Sequence, residues 1–159
     1  MPEPRSRWTT GASVILDALN QRRLQTVHPS DEHAALLLQQ AEQHLRTAAL
    51  ILDTDPAGAF AMLYDAARKS MVAVLAAQGL RPTSRGGHRV VQDALEAQLG
   101  PDGRRVVRRF RELRLRRHDS EYPDLDSQPV TAEQAQQGLD DARMIVAAMQ
   151  RFRPLVGPW

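Results

Sequence analysis

At 159 residues the chain is long enough for one well-formed core and too short for two ordinary domains. Apolar residues make up 42% and aromatics 4%, so the interior must be built mainly from Ala, Leu and Val, which suits closely approaching helices and argues against a β-sandwich. The net charge of +2 rests on 20 Arg against a single Lys (Lys69), and the absence of cysteine excludes disulfides, thiolate metal sites and a Cys nucleophile.

No apolar run reaches ten residues, and the N-terminus lacks the basic-then-apolar pattern of a secretory signal; no membrane span is expected, and a cytoplasmic location is. The Arg excess has two physical readings. A GC-rich genome favours Arg codons with no function attached, whereas a phosphate-binding surface uses the guanidinium fork. Where the arginines fall decides between them.

In chain order, Ala12, Ile15, Leu16 and Leu19 mark a first helix over roughly 11–24. His28-Pro29 breaks it, and Ser30 is an N-cap with Asp31 and Glu32 at the positive helix end. Ala34, Leu38, Ala41, Leu45, Ala48 and Leu52 then recur at bundle spacing. Asp55-Pro56 opens a third helix with Phe60, Tyr64, Ala67, Met71 and Val74 inward, ended by Gly79. A short helix over 88–98 follows a loop, Gly100 to Gly103 is a turn, and an arginine-rich helix covers 104–117. A loop over 119–129, bounded by Pro123 and Pro129, leads to the capping box Thr131 to Gln134 and a last helix with Ala135, Leu139, Ala142, Val146 and Met149 inward. No segment shows persuasive two-residue alternation. The expected fold is all-α: an antiparallel helical bundle of four main helices, plus a short helix and an N-terminal one. The expected division is an N-terminal extension over 1–29, the bundle over 30–151 and a tail over 152–159.

Several sites are absent from the sequence: a Walker loop, His-Glu-x-x-His, and the Glu-x-x-His pair of di-iron bundles. No metal or cofactor is expected. Gly86-Gly87-His88 at a helix start can present N–H groups to a phosphate, although two glycines there also make a plain turn. In the arginine-rich helix, with about 100° per residue, Phe110 and Leu113 fall within about 40° of Val106 and define the buried face. Arg104, Arg108 and Arg111 point away, free to meet solvent or a polyanion such as RNA, and Arg105 and Arg114 lie on the flanks. Arg117 falls about 20° from Val106, on the apolar face, where a guanidinium needs a buried partner, an exit by snorkelling or a polar cleft. His118, Asp119, Ser120, Glu121 and Tyr122 follow it directly. A helix C-terminus favours a cationic imidazole, which suits His118 to moving protons. The acidic residues Asp119, Glu121, Asp124 and Asp126 can equally serve to neutralise neighbouring arginines.

With Leu63-Tyr64-Asp65-Ala66-Ala67-Arg68-Lys69, the Gly87-His88 helix start and Arg117-His118-x-x-x-Tyr122 before the final helix, the sequence resembles the HEPN superfamily over about residues 30–151. Similar families are all-α bundles that dimerise, and many are metal-independent RNases of toxin–antitoxin, phage-defence or CRISPR systems. Their motif is an Arg, usually followed by a polar residue, with a His after four to six intervening residues. Here Arg117 and His118 stand in the expected place, and Tyr122 occupies a position where the family's His can stand. The resemblance implies attack of a ribose 2′-OH on the adjacent phosphate. Arg117 would be the cation, His118 the proton carrier oriented by Asp119, and Tyr122 a phenol that is a weak base at neutral pH. It also implies a homodimer, and the arginines of the 104–117 helix, Arg104, Arg105, Arg108, Arg111 and Arg114, are the expected RNA contacts. Two alternatives stay open. One is an inactive HEPN module that binds RNA or a nucleotide, or pairs with a nucleotidyltransferase-like antitoxin able to modify Tyr122. The other is a helical DNA-binding protein that inserts the 104–117 helix into a groove.

Overall fold

The computed structural model describes residues 5–122 and 124–159, residues 120 and 121 by their backbone alone. Among the described residues five α-helices carry the fold: α1 (Ala12–Asn20), α2 (Asp31–Ile51), α3 (Pro56–Gln78), α4 (Gly87–Glu121) and α5 (Ala132–Phe152). A 3-10 turn, Arg153–Leu155, follows α5. The protein is an all-α bundle, and among the described residues no helix is long and apolar enough to cross a membrane.

Local chemistry sets the boundaries. The Ser30 hydroxyl accepts the His33 N–H at the start of α2, and Asp55 accepts the Gly58 N–H at the start of α3, with Pro56 in the first turn. Gly79 closes α3 at φ 82°, a left-handed conformation cheap only for glycine. Thr131 and Gln134 exchange both bonds of a capping box at α5.

Helix α3 is the centre. It is buried on nearly every face, from Ala59 and Phe60 through Tyr64 and Met71 to Leu75 and Gln78. The small residues Ala66, Ala73 and Ala77 let α2 approach closely. Ala34 and Leu38 of α2 pack on Ala73 and Ala77, and Ala41 of α2 and Val146 of α5 meet Ala66. That row is therefore used within the chain. On the α5 side, a Cβ added at Gly138 would stand 2.7 Å from the Phe60 ring.

Three local features differ from the sequence expectation. First, Leu24–Thr26 (β1) pairs antiparallel with Leu80–Pro82 (β2), Gln25 opposite Arg81. Strands of three residues are too short to display a period of two. Leu24 is consequently in a strand, and α1 ends at Asn20. Second, the short helix and the arginine-rich helix form one element, α4, bent at Gly100, whose φ 66° and ψ −146° are open essentially only to glycine. Third, α4 continues to Glu121, so His118 and Asp119 lie on its last turn, and the loop proper is shorter than expected. Pro123, expected to restrict one end of that loop, lies outside the described residues. At the other end the tail is packed: Trp159 N–H donates to the Gln78 carbonyl at 2.8 Å, and Trp8 meets Phe152 edge-on.

The bend in α4 positions everything that follows. In a straight helix His88 and Phe110 would stand about 33 Å apart. Here α4 folds back on itself, and both rings lie against Tyr64.

Candidate functional site

Tyr64 is 2% exposed and fully embedded in α3. Its ring stacks on Phe110 with centroids 5.3 Å apart and planes 19° from parallel. The Arg117 guanidinium carbon lies 4.7 Å from the same ring centre, a cation–π contact. Phe110 and Arg117 are seven residues apart on α4, a rise of about 10.5 Å, which is the spacing needed to hold one aromatic ring between them. His88, from the first turn of α4, meets the edge of Tyr64 at 5.6 Å and 65°. One buried phenol thus gathers a residue from each arm of the bent helix.

Among the described residues, three cations and one carboxylate act on this ring. Arg68, one turn along α3 from Tyr64, and the half-buried Arg114 join Arg117, and all three act on both Tyr64 and His88. The opposing carboxylate is Asp65, which is shared. It accepts from Lys69 at 3.0 Å, lies 3.5 Å from Arg68 and 3.3 Å from His44 Nε2, and Lys69 Nζ is 2.8 Å from that same imidazole nitrogen. Burial opposes ionisation of Asp65, but the Lys69 hydrogen bond and charge, with Arg68 and His44, hold its pKa below the ordinary carboxylate value.

Burial raises the Tyr64 pKa despite the three cations, so the phenol keeps its proton. Its buried hydroxyl has no hydrogen-bond partner among the described residues. His88 is exposed as a residue, but its imidazole lies against Tyr64 and is partly buried. That burial, followed by the charges of Arg68, Arg117 and Arg114, lowers its pKa below the ordinary 6.5, with Asp65 opposing. The result is a neutral imidazole held among guanidinium groups, an arrangement suited to taking up a proton beside a bound anion.

The residues singled out in the sequence divide into groups. Arg117 is half-buried on the apolar face of α4, over Tyr64. His118 and Tyr122 pair with each other, ring centroids 5.3 Å apart, on an exposed face, and Tyr122 is 71% exposed. Asp119 is exposed and borders a shallow cleft with Asp55 and Ser127. Arg104, Arg105, Arg108 and Arg111 are exposed along the second arm of α4. Asp124 accepts from Ser127 Oγ at 2.7 Å and from the Asp126 N–H, so its carboxylate organises the loop. The side chain of Glu121, expected to neutralise an arginine, lies outside the described residues.

Sequence reasoning assigned Tyr64 to the core and left Arg68 and His88 without a role in the site. The available signal was Tyr64 and Arg68 one turn apart beside an Asp65/Lys69 pair on an otherwise apolar helix. It also missed the ion pair between Arg109 of α4 and Asp141 of α5, whose carboxylate side chain is only 8% exposed.

Comparisons with curated proteins and with solved structures return no match. The HEPN domain family profile matches residues 34–152, which span α2 through α5 and every residue of the Tyr64 cluster, and the chain belongs to the HEPN domain family.

Proposed function

We propose that this HEPN protein acts on RNA as a metal-independent endoribonuclease, working as a homodimer in the cytoplasm in a toxin–antitoxin or defence setting. The observation that carries the reading is the convergence of the Arg117 guanidinium and the His88 imidazole on one buried ring.

In this reading a phosphodiester of RNA sits against Arg117, with Arg68 and Arg114 adding to the field. The neutral His88 takes the proton of the ribose 2′-OH as the 2′-oxygen attacks phosphorus. Arg117 stabilises the charge that grows on the non-bridging oxygens. The bond from phosphorus to the 5′-oxygen breaks, and that oxygen takes a proton from solvent water. The products are a 2′,3′-cyclic phosphate and a 5′-hydroxyl. Arg104, Arg105, Arg108, Arg111 and Arg114 hold the flanking backbone. The test is incubation of purified protein with RNA in EDTA. Cyclic-phosphate ends, lost in both Arg117→Ala and His88→Ala, support the reading; RNA left intact by the wild type overturns it.

A second reading has one observation in its favour. Tyr122 ends α4 with its ring 71% exposed, open to a nucleotidyltransferase-like antitoxin partner that would modify it. RNA bound but uncleaved, with a mass increment on Tyr122 after incubation with such a partner and nucleotide, would favour this over the nuclease.

A further inference from the structure

Asp65 brings one carboxylate to a place where three basic side chains meet, and its two oxygens are divided between them. Oδ1 faces an Arg68 guanidinium nitrogen at 3.5 Å. Oδ2 takes Lys69 Nζ at 3.0 Å and lies 3.3 Å from Nε2 of His44, a residue of α2. Lys69 closes the set by donating to His44 Nε2 at 2.8 Å. An ammonium has no lone pair to offer, so that imidazole nitrogen is the acceptor and carries no proton.

Ion pairs of this kind, part-exposed and three or four residues apart on one helix, contribute little to stability. The division of the oxygens has a different consequence. Held on Oδ2, the carboxylate is not free to turn wholly toward Arg68 and neutralise it, nor wholly away and release it. Among the described residues Asp65 is the one carboxylate paired with Arg68. Arg68 in turn is the largest of the charges acting on His88, ahead of Arg117 and Arg114. A guanidinium has several N–H groups, and a single bond to Oδ1 directs it while the others stay available to an anion.

We infer that Asp65 is a positioning residue: through Oδ1 it fixes Arg68 at the Tyr64–His88 site, and through Oδ2 it is itself fixed by Lys69 and His44. It touches no reacting atom and acts through Arg68. The inference rests on the RNA reading for the phosphate that Arg68 would meet, whereas the coupling between these side chains is measurable without RNA.

If Asp65 were no more than a neighbouring charge, its effect on His88 and that of Arg68 would add; a residue that holds Arg68 in place makes them non-additive. The experiment is an NMR titration of the His88 imidazole in the full chain and in Asp65→Asn, Arg68→Gln and the double variant. With Asp65 present, Arg68→Gln should raise the midpoint, because a nearby cation has been removed. In Asp65→Asn the guanidinium is no longer held, and the same substitution should raise the midpoint less than about half as much. Lys69→Gln is the second arm. It releases Oδ2, the carboxylate turns toward Arg68, and the midpoint should rise; with Asp65→Asn already in place it should not move. Arg68→Gln shifts of similar size in both backgrounds, or a Lys69→Gln effect that survives Asp65→Asn, overturn the inference. If Asp65→Asn does not fold, Lys69→Gln alone decides, and a midpoint that fails to rise overturns it. Additive shifts in a protein that cleaves RNA would sink this inference alone, and non-additive shifts in a protein that leaves RNA intact would sink only the nuclease reading.

Discussion

The Arg117 guanidinium lies 4.7 Å over the ring of Tyr64, whose hydroxyl is buried with no hydrogen-bond partner among the described residues. The ring, not the hydroxyl, is therefore what Tyr64 offers the guanidinium. Tyr64→Phe should leave stability unchanged or slightly raised, because it removes an unsatisfied buried group, and should keep RNA cleavage. Tyr64→Leu should lose about 2–4 kcal/mol through the cavity it opens and abolish cleavage. Urea denaturation alongside the cleavage assay separates the two variants. Equal loss in both would mean that the phenol oxygen matters.

The bend in α4 rests on Gly100, where an added Cβ meets no atom within 4 Å. Crowding is not at issue; backbone strain is. Gly100→Ala should cost about 1–3 kcal/mol from the sparsely allowed conformation alone. Its chemical-shift changes should extend to Tyr64 and His88, since the bend is what brings the two arms together. A fully stable variant would show that the turn does not depend on glycine.

Cleavage should persist into mildly acidic solution. Burial and the charges of Arg68, Arg117 and Arg114 lower the His88 pKa, so the base stays unprotonated below the ordinary value of 6.5. The acidic limb of the kcat/KM profile should therefore lie below that value. Arg68→Gln and Arg114→Gln each remove a depressing charge and should move the limb upward. A limb unmoved by either substitution would assign it to another group. Stability carries the same sign. The neutral imidazole is favoured in the folded state, so its contribution is lost as pH falls from the unfolded value through the lowered folded one.

The exposed arginines of α4 should act through charge alone. Replacing Arg104, Arg108 and Arg111 together by Gln should leave the fold intact and weaken RNA binding at low salt. The slope of log K against log salt should shrink by about 2, at roughly 0.7 per lost phosphate contact on a single strand. An unchanged slope would show that RNA runs along a different face.

Helices α2, α3 and α5 were legible because local chemistry punctuates them: Ser30, Asp55-Pro56, Gly79 and Thr131 mark ends that the structure reproduces. Helical arithmetic also placed Arg117 on the inward face, where it is half-buried. What it met there was not legible. The partner ring comes from α3 and the imidazole from the far arm of α4, and both depend on how sharply Gly100 turns the chain. The sequence distance between Arg117 and His118 pointed to a pair of neighbours, whereas consecutive residues on a helix face about 100° apart. His118 accordingly sits on the outer face with Tyr122. The β1–β2 pairing escaped notice because three residues carry too little pattern to read.

The central claim is that Arg117 and His88 share one site, and an NMR titration of the His88 imidazole tests it most directly. In the wild type the midpoint should fall below 6.5, and Arg117→Gln should raise it, because a cation that penalises the protonated ring has been removed. A wild-type midpoint at or above 6.5, or one indifferent to Arg117→Gln, would contradict the account.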